Sequence, residues 1–154
     1  MTLFSFNIIQ KLPISTTKAW DFFSNPKNLE LITPPWLALK ITSEIREEMY
    51  SGMIMTYDVS PILGIPVKWI TEITHLDKPN LFVDEQRFGP YRFWHHEHHF
   101  RPIPNGIEMQ DSVHYVMPFG FFGSLVGNLV VNKKVIDIFN YRYKVLEGLF
   151  GRIS

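Results

Sequence analysis

The segment "YRFWHHEHHFRPIPNGIEMQDSVHYVM", Tyr91 to Met117, decides the fold. Two runs within it, Tyr91 to Arg101 and Ile107 to Met117, alternate at period two and read as β-strands. Asn105-Gly106 between them is a strong hairpin signal, because a type I′ turn wants positive φ at both central positions. With that two-residue turn Pro104 faces Ile107, and the expected pairs are Phe100 with Asp111, His98 with Val113, His96 with Tyr115 and Trp94 with Met117. The face shared by these pairs carries Trp94, Phe100, Val113, Tyr115 and Met117 and is the more apolar. The other face shows His95, Glu97, His99 and Arg101 opposite Glu108, Gln110 and His114, the composition of a solvated surface.

The four histidines therefore divide. His95 and His99 are expected to face water as ordinary surface residues. His96 and His98 point inward, where two readings stand side by side: core histidines hydrogen-bonded to Tyr115 and its neighbours, or polar groups presented to a ligand. Metal binding is a sharper alternative, since His-x-His on a strand offers two imidazoles to one ion. A third ligand is needed, and only Asp84 or Asp111 is placed to supply it, so no metal site is assigned. In the expected register Asp111 lies diagonal to His98. His98 should then be the more basic of the pair and His96 the neutral partner of Tyr115.

Working outward from the hairpin, Leu3 to Leu12 alternates as a first strand. "PISTTKAWDFF" then switches to helical spacing with Ser15 or Thr16 as N-cap, and Pro26 starts a second short helix, "PKNLELI". The run "TPPW", Thr33 to Trp36, reads as a rigid loop at the mouth of any cavity, because consecutive prolines fix φ and remove donors. Further strands are expected at Leu39 to Arg46, Met53 to Ser60, Val67 to His75 and Leu81 to Phe88. From Phe121 to Phe150, apolar residues at Leu125, Leu129, Ile136, Phe139, Tyr143, Leu146 and Phe150 mark one stripe of a helix about 45 Å long. These elements predict an α+β fold: a seven-stranded antiparallel curved sheet gripping a long C-terminal helix, with two short helices after strand one. No repeat or linker divides residues 1–154, which are expected to form a single domain.

Composition narrows the function. A chain of 154 residues can bury about 70% of its extended surface, enough for a substantial core. Charge balances at zero and the basic residues are scattered, which excludes a phosphate-binding stripe and makes nucleic acid an unexpected partner. Charged residues, at 19%, fall below the usual share of about 25%. Aromatics reach 15%, so many rings need an interior. The absence of cysteine removes disulfides, thiolate nucleophiles and thiolate metal sites, and fits a cytoplasmic protein. "MTLFSFNIIQKL" alternates like a strand and does not read as a signal peptide. "FGFFGSLVGNLVV" is too short and interrupted for a span of about 20 apolar residues, so no stable membrane insertion is expected. No cofactor is implied, and the oligomeric state is left open.

The stretches "PISTTKAWDFFSNPKNLELITPPW", "GIPVKW", "FVDEQ", "GPYRFWHHEHHF" and "DSVHYVMP" resemble, over nearly the whole chain, the ligand-binding SRPBCC proteins. That is a branch of the START-like, helix-grip superfamily often labelled polyketide cyclase/dehydratase. The resemblance implies a deep hydrophobic cavity under the long helix, lined by residues at Trp36, Tyr57, Trp69, Asp84, Gln86, Trp94, His96, His98, Asp111 and Tyr115. Strand parity supports the last five independently. Trp69 shares the apolar phase of its strand with Thr71, as either a cavity-lining or a core tryptophan. For Asp84 and Gln86 the facing depends on the next turn: three residues, Gly89-Pro90-Tyr91, set Asp84 beside His96, whereas two send both outward. The three-residue turn is preferred, since otherwise Phe82 and Phe88 would face water.

Two functions from different classes follow. One is a carrier or sensor that binds a small hydrophobic molecule, its apolar body under the helix and its polar end at His96, His98, Asp111 and Tyr115. The other is a cyclase or dehydratase in which His96 or His98, oriented by Asp84 or Asp111, removes an acidic proton from a polyketone-like substrate. A ligand-free interaction module, its aromatics simply forming a core, is a third.

Overall fold

A computed structural model describes residues 2–61, 63–117 and 125–153, with side chains from 125 to 128 outside the description. Seven strands form one antiparallel sheet: β1 (Leu3–Leu12), β2 (Lys40–Ile41), β3 (Ile54–Val59), β4 (Val67–Asp77), β5 (Leu81–Phe88), β6 (Phe93–Ile103) and β7 (Gly106–Val116). Their spatial order is β1-β7-β6-β5-β4-β3-β2, so the chain's first strand closes the sheet beside its last. Helices α1 (Thr16–Phe23) and α2 (Pro26–Leu31) follow β1, and α3 (Leu125–Phe150) is the long C-terminal helix.

Local chemistry explains these boundaries. The Ser15 Oγ accepts a hydrogen bond from the Lys18 N–H and starts α1, while Asn25 caps α2 with Pro26 in its first turn. Trp20 and Ala19 on α1 are buried, and Trp20 meets Phe82 and Phe100 of the sheet edge-on. Register shifts between Ile70 and Thr71 and between Ile73 and His75 break the β4–β5 ladder at two places, and bulges of this kind bend a sheet. Gln10, buried on β1, donates to the Tyr143 carbonyl and ties the sheet edge to α3. No helix among the described residues is long and apolar enough to cross a membrane.

Four expectations are corrected. The hairpin turn lies one residue earlier than Asn105-Gly106: Ile103 pairs with Gly106, Pro104 holds its ring-fixed φ, and Asn105 takes φ 68°, the sign pattern of a type II turn. Every cross-strand partner therefore moves by two, so Phe100 faces Met109, His98 faces Asp111, His96 faces Val113 and Trp94 faces Tyr115. A two-residue slip leaves the faces unchanged. Gly106 is required for closeness instead of for φ, because a Cβ there would run into the Leu12 carbonyl oxygen of β1.

The second correction concerns β2, which keeps only Lys40–Ile41, since Glu44 to Glu48 is a charged, exposed run with nothing to bury. Third, Pro35–Leu37 within the proline loop forms a turn of 3₁₀ helix, started by its prolines. The fourth concerns α3. Its buried line runs through Val131, Val135, Phe139, Arg142 and Leu146, whereas Leu129, Ile136 and Tyr143 are exposed. Phe139 and Leu146 are buried as expected, while Val131, Val135 and Arg142 take the inward positions expected of Leu129, Ile136 and Tyr143, an arginine in the line having hidden its phase. The expected helix start at Phe121 lies outside the described residues.

Two glycines make opposite predictions. Gly106→Ala should lower stability by roughly 1–3 kcal/mol through the clash with Leu12. Gly148→Ala, on an exposed helix position with open space around it, should raise it by about 0.5–1 kcal/mol. Urea midpoints of the two variants against the parent check both signs.

Candidate functional site

Between the sheet and α3 lies a cavity of about 670 Å³, within the range of small-molecule sites. Its walls are mainly apolar and aromatic, with Tyr57, Trp69, Tyr91, Trp94 and Phe139 among them, and α2 and the proline turn stand at one end. Trp36 on that turn lies under Lys134 of α3, whose ammonium sits 4.3 Å above the indole ring, so a cation–π contact joins the two sides there. Trp69 and Trp94 meet edge-on at 5.4 Å, and Tyr91 tilts against both.

Strand pleat places the polar wall. Trp94, His96, His98 and Phe100 alternate into the interior along β6, and Asp84 on β5 stands opposite His96. Each imidazole touches two carboxylates. His96 Nε2 is 2.8 Å from Asp111 Oδ1 and its Nδ1 is 3.5 Å from Asp84 Oδ2. His98 Nε2 is 2.7 Å from Asp84 Oδ2 and its Nδ1 is 3.2 Å from Asp111 Oδ1. The two rings lie 3.7 Å apart between centroids, and Phe82 stacks on His98 at 4.0 Å. From α3, Arg142, which also lines the cavity, approaches Asp111 Oδ1 at 3.7 Å and lies over the Phe139 ring.

Electrostatics separates the two histidines. Burial would lower the basicity of His98, but the hydrogen bonds its imidazole donates to Asp111 and Asp84 outweigh it and the imidazole is raised. For His96, burial and then the charge on His98 prevail over both aspartates, and it is lowered. Burial acts to raise Asp84, yet His96, His98 and Arg142 hold it below its ordinary value. Asp111 is held well below, its burial outweighed by hydrogen bonds from His96 and His98 and by the Arg142 charge. Two carboxylates, one guanidinium and one imidazolium balance, which is how such a cluster survives in the interior. Burial, and then the Asp84 charge, push the Tyr57 phenol far up, so it stays a neutral donor. Its hydroxyl is spent on the Met55 thioether, a weak acceptor.

Of the sequence candidates, Trp36, Tyr57, Trp69, Asp84, Trp94, His96 and His98 line the cavity. Gln86 does not: its amide donates to the Tyr91 carbonyl and accepts from the Tyr91 N–H, stapling the β5–β6 turn. Asp111 lies beneath the histidines, supporting the wall from behind. Tyr115 is not the partner of His96, because the two-residue slip moved it to Trp94, and its hydroxyl donates to Asn132 of α3. Asp84 pairs with His96 as the three-residue turn requires and Phe82 is buried, but Phe88, expected inward on the same face, is 61% exposed. His95 and His99 lie on the outer face of β6, as expected, and are engaged there by glutamates. His95 contacts Glu85 at 2.7 Å and Glu97 at 3.1 Å, and His99 contacts Glu97 at 2.7 Å.

Sequence reasoning missed Arg142, Tyr91 and Phe139 as site residues. Val135, Phe139, Arg142 and Leu146 are spaced at i, i+4, i+7 and i+11, so the signal was a charged residue occurring in phase with an apolar line. Tyr91 stands where the turn meets the expected strand, and parity assigns its side chain no face there.

No protein-family model matches the chain, and no curated protein matches it. Solved structures do. The Zhui aromatase/cyclase from Streptomyces sp. R1128 aligns over 96% of this chain and 93% of its own, with TM-score 0.72 and 12% identity. For ginseng major latex-like protein 151 from Panax ginseng the shares are 97% and 99%, the TM-score 0.68 and the identity 12%. Protein Ms6760 from Mycobacterium smegmatis gives 94% and 89%, 0.70 and 17%. At these identities the likeness is one of fold: the chain shares with these structures the helix-grip arrangement of a curved seven-stranded antiparallel sheet and a long C-terminal helix.

Asp111→Asn keeps the shape of the cluster but leaves Arg142 and His98 without their shared counter-charge. It should cost about 3–5 kcal/mol, read from denaturant midpoints. A loss under about 1 kcal/mol would show that water already screens the cluster.

Proposed function

We propose that this protein binds a small hydrophobic molecule in the cavity between sheet and α3, as a carrier or sensor. The observation that carries this reading is the cavity itself: about 670 Å³ of largely aromatic space with a polar cluster confined to one wall. An apolar body would bury against Trp69, Trp94 and Phe139, and a polar end would lie toward Asp84 and His98. Three further groups support a ligand with an oxygen acceptor. The Tyr57 hydroxyl has only a thioether partner, and Trp69 Nε1 and Arg142 Nε are buried donors with no hydrogen-bond partner among the described residues. A buried donor left unpaired costs roughly 1–3 kcal/mol, which a ligand oxygen would offset. The cysteine-free composition supports a cytoplasmic setting.

The alternative reading is a cyclase or dehydratase acting on a polyketone-like substrate. It is favoured by one observation, the contact of His98 with Asp84 on the cavity wall, and by a fold shared with an aromatase/cyclase. Binding is the better supported of the two, because all four imidazole nitrogens already face carboxylate oxygens within 3.5 Å. None can take a proton from a substrate without first giving up a partner.

An apolar naphthalene-type fluorophore should bind inside and quench tryptophan emission, since Trp36, Trp69 and Trp94 all line the cavity. Trp94→Ala should weaken that binding by about 1–3 kcal/mol through lost apolar contact. Unchanged affinity would place the ligand elsewhere. Native mass spectrometry separates the two functions: a retained lipophilic mass identifies a carrier, and conversion of an added diketide by the empty chain identifies an enzyme.

A further inference from the structure

Three donor atoms converge on the polar wall. Asp84 Oδ2 lies 2.7 Å from His98 Nε2 and 3.5 Å from His96 Nδ1, and the ligating atoms of the three residues all fall within 4.8 Å of one another. Donors held about 2.1 Å from one ion stand roughly 3 Å apart, and the two measured separations bracket that value. Strand geometry produces the convergence. Asp84 and His96 are cross-strand partners, and His98 follows on the same face.

What stands behind the three distinguishes them from a chance polar group. The ring nitrogens turned away from Asp84, His96 Nε2 and His98 Nδ1, both reach Asp111 Oδ1, at 2.8 and 3.2 Å. A metal-bound imidazole is oriented by its other ring nitrogen donating to a carboxylate. Here one buried carboxylate holds both rings, and Arg142 at 3.7 Å offsets its charge. Exposure follows the same division. The Asp84 side chain is 18% exposed and lines the cavity, whereas that of Asp111 is 2% exposed. Phe82, stacked on His98, and Phe139, edge-on to His96 at 5.4 Å, hold the ring planes.

We propose that Asp84, His96 and His98 form a site for a divalent first-row transition ion, with Asp111 as the shared carboxylate that orients both imidazoles and the remaining coordination positions open to the cavity. Two imidazoles and one carboxylate select such an ion over magnesium or calcium, which take oxygen ligands. The site goes beyond the binding of an apolar molecule and does not depend on it. An ion there would meet the polar end of whatever occupies the cavity.

The full chain, stripped of metal and titrated separately with zinc and with cobalt(II), tests this. One ion per chain is expected by calorimetry, with cobalt(II) giving visible absorption bands. In the wild-type NMR spectrum cobalt(II) should broaden the ring protons of His96 and His98 first, leaving His75 sharp and affecting His95 and His99 later. His98→Gln and Asp84→Asn should abolish binding, and Asp111→Asn should weaken it about 10- to 100-fold. Broadening that begins at His95 and His99 would put the ion on the outer face of β6 and overturn the proposal. So would the absence of binding by either ion, or unchanged affinity in both His96→Gln and His98→Gln. The wild-type spectrum locates the ion by itself, so a variant that fails to fold does not remove the test.

Discussion

A carboxylate buried to the last few per cent of its surface needs a reason to be there, and Asp111 has three. Two imidazoles and a guanidinium surround it, contributed by the neighbouring strand and by the helix that crosses the sheet. Desolvating an isolated carboxylate costs several kcal/mol after relaxation, so Asp111 is stable inside only while these partners hold their places. The dependence runs the other way too. Arg142 lies on the buried line of α3 because Asp111 receives its charge, and that fixes the rotation of the helix about its axis. With α3 so rotated, Val131, Ile138 and Phe139 face the space above the sheet and bound the cavity. One charge-balanced contact thus ties the phase of the helix to the polar wall that the pleat of β6 presents.

The legible parts of the fold were those that depend on period alone. Alternation along β1 and β6 gave the correct faces, and Ser15 stood as an N-cap by its type and position. Partner choice was not legible to the same depth. Asn105-Gly106 looks like a type I′ turn, but Pro104 can occupy the first central position of a turn of the other hand, and Gly106 is needed for its bare Cα against Leu12. A slip of two residues preserves every face and changes every neighbour. It moved Asp111 from Phe100 to His98, and so turned an expected diagonal contact into a direct one. The phase of α3 was hidden for a different reason. Its outer line, Leu129, Ile136 and Tyr143, is as apolar as its inner one, and the inner one carries an arginine whose burial makes sense only once Asp111 is seen beneath it.

The same limit applies to the site. Residues on alternating strands, such as Trp94, His96 and His98, could be placed on the cavity side from parity. Gln86 shares the parity of Asp84 but lies near a turn whose backbone needed its amide, and the competing local hydrogen bonds to Tyr91 took it out of the cavity. Tyr91, at the junction of turn and strand, lines the cavity although nothing in its spacing marks a face. Pattern predicts side-chain direction well in the middle of a strand and poorly within two or three residues of its end.

The contact between Trp36 and Lys134 has a consequence for traffic. A cation–π pair at an accessible position contributes about 0.5–1 kcal/mol, which favours the joined arrangement only roughly two- to fivefold. The proline turn is stiffened by its fixed φ angles, and the Trp36–Lys134 pair is the polar contact that joins it to α3. Such a latch is quickly undone. The residence time of a bound molecule is then governed by how much aromatic wall it covers, and a tenfold slower exit would come from about 1.4 kcal/mol of added interior contact.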